Sequence, residues 1–213
     1  MKRAAMSSRR QKASAGGSTR RRGPFAPVAS ALIVLVCLNG TPGWPQSSAP
    51  GKATPAEQAH ELWREGASLH LEGRYEAAVA RFRRAIKLHP TAEAHTYLGW
   101  SLSRLGRYED AITECRRAIE LDPQYGNPYN DIGAYLIELG RPDEAVPWLH
   151  RALEAERYCC YHFAHFNLGR AFLLKGHVAA ARRAFVRALL RNPNYRPALR
   201  ALELLERGGI GGA

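Results

Sequence analysis

The sequence predicts an all-α fold, a solenoid of about four helical hairpins followed by one C-terminal helix. Three observations carry that prediction. Beyond Gly51 the composition turns to Ala, Leu, Arg and Glu at helical spacing. Four glycines, Gly66, Gly99, Gly133 and Gly169, recur at intervals of 33, 34 and 36 residues. A second set, Gly73, Gly106, Gly140 and Gly176, repeats with the same intervals. Self-similarity at such a period is the mark of stacked repeats.

The elements follow in chain order. "TPAE" (Thr54 to Glu57) reads as a helix start, with Thr54 as cap, Pro55 in the first turn and Glu57 completing a capping box. The second glycine set ends the first helix of each hairpin and makes the turn, in "EGRYEAA", "LGRYEDA", "LGRPDEA" and "KGHVAAA". Two alanine columns (Ala78, Ala111, Ala145, Ala181 and Ala85, Ala118, Ala152, Ala188) share the register, as does a column of Phe82, Cys115, Leu149 and Phe185. The first glycine set and the alanines lie where helices must approach closely. Cys115 is thus a small core residue. Pro90, Pro123 and Pro193 close three of the units and aim the chain at the next. No hairpin of this size buries its own apolar stripe, so neighbours must stack. "YRPALRALELLERGG" then reads as a single amphipathic helix over 196–207, with Leu199, Leu202 and Leu205 on one side. The glycine-rich tail, 208–213, is expected to be flexible.

The third joint is irregular. Arg157 stands where a closing proline is expected, and the unit gains two residues. Cys159 and Cys160 fall in this joint, so a local change in stacking is expected there, one that presents Phe163 and Arg170 to a partner.

Ahead of the helices, residues 1–26 are expected to form a basic, disordered leader. Residues 1–50 contain eight Lys and Arg and no acid, leaving only +4 of the net +12 for the remainder. The high charge therefore belongs to the leader, and nucleic-acid binding is not expected of the helical array. The apolar run "PVASALIVLVCL" sits within 27–40, and a breaker-rich linker spans 41–53. The run falls short of the ~20 residues of a comfortable span but has the length of a signal-peptide core. Export is expected, with 27–40 as signal peptide or membrane tether and the array outside the cytoplasm; a cytoplasmic location is the alternative. Past the leader, Cys115, Cys159 and Cys160 are an odd set, a poor disulfide framework.

The columns resemble the tetratricopeptide repeat closely, above all in "HTYLGWSLSRLGRYEDAITECRRAIELDP" (95–123) and "HFNLGRAFLLKGHVAAARRAFVRALLRNP" (165–193). The resemblance covers 54–195, in units over 59–91, 92–125, 126–161 and 162–195. It implies a right-handed α-solenoid whose last helix caps the open end. It also implies a concave groove lined by the first helix of each hairpin, which binds a protein or peptide partner. By register the groove candidates are Trp63, Arg64, Tyr97, Trp100, Asn130, Asp131, Phe163, Phe166, Asn167 and Arg170. The asparagines suit a peptide backbone, Arg170 suits a carboxylate and the aromatics are apolar anchors. An aromatic at helical spacing can equally pack between hairpins. The family's clamp for a C-terminal carboxylate is matched only in part by Asn167 and Arg170, since its lysines are missing.

No P-loop, G-x-S-x-G, H-E-x-x-H or C-x-x-C-H motif occurs, so neither catalysis nor a cofactor is expected. The alternative is a metal or redox site built from Cys159, Cys160, His162 and His165. The two histidines share a helix face. Vicinal cysteines do not easily reach one ion together, and their spacing matches no recognised ligand pattern.

Overall fold

A computed structural model describes residues 53–208 of the chain. The predicted leader, the apolar run, nearly all of the linker and the tail beyond Gly208 lie outside the described residues. Among those described, nine helices and no strand occur. The first hairpin is α1 (Pro55–Leu71) and α2 (Tyr75–Leu88), the second α3 (Ala92–Arg104) and α4 (Tyr108–Leu121). The third is α5 (Gly126–Glu138) and α6 (Pro142–Glu154), the fourth α7 (Tyr161–Leu174) and α8 (Val178–Arg191). The single helix α9 (Arg196–Arg207) follows.

Local chemistry sets the boundaries. Thr54 and Glu57 form the capping box: the Glu57 amide donates to the Thr54 hydroxyl at 3.2 Å, and the Thr54 amide donates to the Glu57 carboxylate at 2.8 Å. Each first helix ends on a glycine with φ between 72° and 78°. The amide after that glycine reaches back five residues, from Arg74 to Leu69, Arg107 to Leu102, Arg141 to Leu136 and His177 to Phe172. This closure needs left-handed backbone, which glycine adopts at no steric cost. At the other end, His89, Asp122 and Asn192 are extended, each directly before its proline.

Packing explains the remaining columns. Phe82, Cys115, Leu149 and Phe185 have no exposed surface. Each lies against the glycine of its own unit. A Cβ on Gly66 would meet the Phe82 ring at 2.8 Å, on Gly133 Leu149 at 2.5 Å, and on Gly169 Phe185 at 2.3 Å. On Gly99 it would meet the smaller Cys115 Sγ at 3.2 Å. The glycine column and the bulky column are the two halves of one contact.

Within each hairpin the two helices pack most extensively, and each second helix then packs on the next first helix. Consecutive first helices also touch, whereas the second helices make no comparable contact with one another. So α1, α3, α5 and α7 line the inner face of the array, and α2, α4, α6 and α8 form its outer face.

The last helix covers the end, but not by the stripe expected. Ala198, Ala201 and Leu205 are buried with Phe166 and Phe185, and Leu202 packs at their edge, while Leu199 is exposed. Leu199 and Leu205 are about 120° apart around a helix of 3.6 residues per turn, too far to share one contact. The seam uses positions i, i+3, i+4 and i+7 instead, with alanines where the helices come closest.

At the third joint, Arg157 takes over from the missing proline. Its amide donates to Gln124 O at 2.9 Å and its carbonyl accepts from Gly126 N at 3.1 Å, tying the joint to the one before it. Its guanidinium bonds Glu93 at 3.0 Å, contacts Asp122 and lies 5.3 Å from the centre of the Tyr125 ring. α6 packs on α7 as fully as α4 packs on α5, and contact between α5 and α7 is more extensive than between earlier first helices.

Candidate partner-binding groove

The inner face is built by register. The position three before each first-set glycine is buried in every hairpin: Trp63, Thr96, Asn130 and Phe166. One residue later come Arg64, which is exposed, and Tyr97, Asp131 and Asn167, which are buried. These columns face the neighbouring first helix, so most of their side chains serve the stacking of hairpins. Trp100, Phe163 and Arg170 are half-buried.

The candidates fall into three connected groups. Across α1 and α3 runs an aromatic series. Trp63 packs edge-on to Tyr97 with centroids 4.9 Å apart, and Tyr97 lies 4.5 Å from Trp100. Trp63 Nε1 is buried and finds no acceptor among the described residues. Arg64 pairs with Glu61 at 3.3 Å on the same helix.

Across α3, α5 and α7 runs a polar ladder. The Trp100 indole donates to Asp131, which also accepts from Asn130 Nδ2 at 3.2 Å. Asn167 Nδ2 donates to Asn130 Oδ1 at 3.0 Å, and Arg170 donates to Asn167 Oδ1 at 3.3 Å and to Glu138 at 2.5 Å. Burial raises the Asp131 carboxyl to about 7, and the bonds from Trp100 and Asn130 only partly oppose that rise. Arg170, read from sequence as a partner for a bound carboxylate, already holds Glu138 of its own chain.

Across α7 and α9 lies a second aromatic group. Tyr195 packs edge-on to Phe163 at 5.4 Å, to Phe166 at 5.3 Å and to His162 at 5.0 Å. Tyr195 and Glu138 were not among the sequence candidates. A signal for Tyr195 existed, since Pro193–Tyr195 repeats the Pro-x-Tyr of Pro123–Tyr125 at the start of a following first helix.

The Cys/His cluster does not converge. Cys159 is exposed, whereas Cys160 is buried among Tyr129, Ala152, Ala155, Tyr158 and Ala164, with the two Sγ atoms 2.9 Å apart. His162 is taken up by Phe163 and Tyr195, and His165 faces Arg187, Arg191 and His150. Among the described residues no three His, Cys, Asp or Glu side chains are placed to hold a metal ion. Cys115 is fully buried, and burial pushes its thiol well up.

Comparison with known proteins bears on the fold and the family. Tetratricopeptide repeat models match residues 72–126, 102–159 and 162–195. No curated protein sequence matches the chain significantly. Among solved structures, YrrB, a TPR protein with an unusual peptide-binding site, aligns at 22% identity and TM-score 0.58 over 68% of this chain and 75% of its own. The pilF protein of Pseudomonas aeruginosa aligns at 25% identity and TM-score 0.62, over 75% of this chain and 79% of its own. PilW, a widely conserved type IV pilus biogenesis factor, aligns at 22% identity and TM-score 0.66, over 71% of this chain and 70% of its own.

Proposed function

Since the chain belongs to the tetratricopeptide repeat family, we propose that it is a non-enzymatic scaffold that holds an extended segment of a protein partner along its inner face. The observation that carries this reading is the inner face itself. Four first helices stand side by side, with Arg64, Trp100 and Phe163 left partly or fully accessible along them. Trp100 and Phe163 are the apolar anchors, and Arg64 is the adaptable polar contact.

Photo-cross-linking tests the reading. A photoreactive residue replacing Phe163 on the inner face should capture a discrete partner, and one replacing Arg83 on the outer face should not. Equal capture from both sites would sink the groove assignment.

The location belongs to the same proposal. The basic leader followed by the apolar run within 27–40 supports export or an envelope-associated complex, with that run as signal or tether. Cell fractionation and the mass of the mature N-terminus decide it. A cytoplasmic protein that retains its full leader would refute export.

A further inference from the structure

Over the whole array the charges nearly balance, but they are segregated. Residues 54–156 carry 17 acids and 12 bases. From Arg157 to Arg200 there are nine bases and no acid. The outer helix of this basic end, α8, departs from its counterparts at two positions. At the outward sites matching Val186 and Leu190, α2 has Arg83 and Lys87, α4 has Arg116 and Glu120, and α6 has His150 and Glu154. Three hairpins keep these sites polar or charged, as a solvated face requires, and the fourth makes them apolar. Both side chains are exposed, Leu190 by 77%.

Val186 and Leu190 stand one turn apart and form a short apolar row. The adjoining row is Arg183, Arg187 and Arg191, all exposed. Arg183 and Arg187 have no acidic partner among the described residues, and neither do Arg196 and Arg200 on α9. Arg191 lies over the Tyr161 ring at 5.3 Å, and Arg182 reaches Glu206 at only 3.6 Å.

We propose that the outer face of α8 is a docking surface for an anionic phospholipid bilayer. The apolar row and the arginine row lie side by side on one outer helix. An interfacial helix sinks a narrow apolar row to the level of the acyl boundary while flanking arginines reach the headgroup phosphates. The arginine row supplies that charge complementarity, and its long apolar stems add to the buried row. One such face binds weakly by itself, and a second membrane signal on the same chain makes attachment stable. The apolar run at 27–38 is suited to be that second signal. The proposal does not depend on the groove reading.

The test is flotation of the full-length protein with phosphatidylcholine vesicles, with and without phosphatidylglycerol. Arg183→Gln/Arg187→Gln/Arg191→Gln should lose on the order of 100-fold in binding to the anionic vesicles, given the usual contribution of an arginine near such a surface. Arg83→Gln/Arg84→Gln/Arg117→Gln removes the same charge from exposed positions on α2 and α4 and should lose less than about threefold, the part that acts only through the long-range field. Leu190→Gln should lose several-fold without any change of charge. Every variant keeps the leader, so the comparison reads the α8 face alone. Equal losses in the two triple variants, or none in either, would overturn the proposal. So would an unaffected Leu190→Gln, because a purely electrostatic face would then fit an acidic protein or a nucleic acid better than a bilayer.

Discussion

Asn167 on α7 donates its side-chain N–H to Oδ1 of Asn130 on α5 across 3.0 Å, inside a buried ladder that also holds Asp131, Trp100 and Arg170. Two residues that suit a peptide backbone are therefore committed to each other. Each also fixes a neighbour, Asn130 the Asp131 carboxylate and Asn167 the Arg170 guanidinium.

Asn167→Ala should destabilise the fold by about 1–3 kcal/mol, because it leaves the Asn130 acceptor and one Arg170 donor unpaired in a buried site. Asn130→Ala should cost a similar amount. The double variant should cost less than the sum of the two, and urea denaturation of all four proteins gives the coupling. Additivity to within about 0.5 kcal/mol would mean that the bond contributes nothing to the stacking of α5 on α7.

Asp131 should make stability depend on pH. Its carboxyl is raised by burial from 3.8 to about 7, so between those values the folded chain keeps a proton that the unfolded chain has released. Its contribution therefore falls as pH rises from 4 to 7 and then levels off. His70 acts in the opposite sense. Burial, assisted by Arg104, lowers it from 6.5 to about 4, so its contribution is lost as pH falls through that window. The stability of wild type relative to Asp131→Asn isolates the carboxyl. That difference should move against wild type by roughly 2–4 kcal/mol between pH 4 and pH 8. A difference that stays flat with pH would show an ordinary carboxylate at this position.

The glycine contacts predict a graded series. Gly169→Ala drives a Cβ to 2.3 Å from the Phe185 ring and should cost about 2–3 kcal/mol, with partial rescue by Phe185→Leu. Gly99→Ala meets Cys115 Sγ at 3.2 Å and should cost less. Gly106→Ala meets nothing within 4 Å but sits at φ +75°, and should cost about 1 kcal/mol from backbone strain alone. Denaturation midpoints in a different order would contradict the paired-column account.

Arg157→Ala should cost about 1–2 kcal/mol, since it removes the guanidinium shared by Glu93 and Asp122 at a partly exposed site. Arg157→Lys should recover little of this, because an ammonium lacks the planar fork. Arg157→Pro restores the residue expected from the other joints, yet it should also destabilise, because it deletes the amide bonded to Gln124. Thermal melting of the three variants reads all of these effects.

Much of the molecule was legible because a repeat states each physical requirement four times. A hairpin turn that needs φ near +75° calls for glycine each time, so Gly73, Gly106, Gly140 and Gly176 marked the turns. A close helix crossing calls for a missing side chain on one helix and a bulky one on the other, so two further columns marked the packing. The site was less legible. Repetition reports what every hairpin needs, whereas the ladder of Asp131, Asn130, Asn167 and Arg170 joins different residue types from different units. The Arg170–Glu138 pair and the seat of Tyr195 against Phe163 likewise depend on neighbours more than thirty residues away.

By itself, then, the sequence determined the helical class, the hairpin turns, the columns of close helix approach and the family. All of these rest on local backbone chemistry and on a period that a single chain displays. Only the tertiary structure decided which inner-face residues are spent on stacking and how Arg157 stands in for a proline. It also decided which alanines seat α9 and where the arginines of α8 gather beside exposed Val186 and Leu190. Burial and partner choice belong to the space between helices, and spacing along one helix does not specify what will lie across from it.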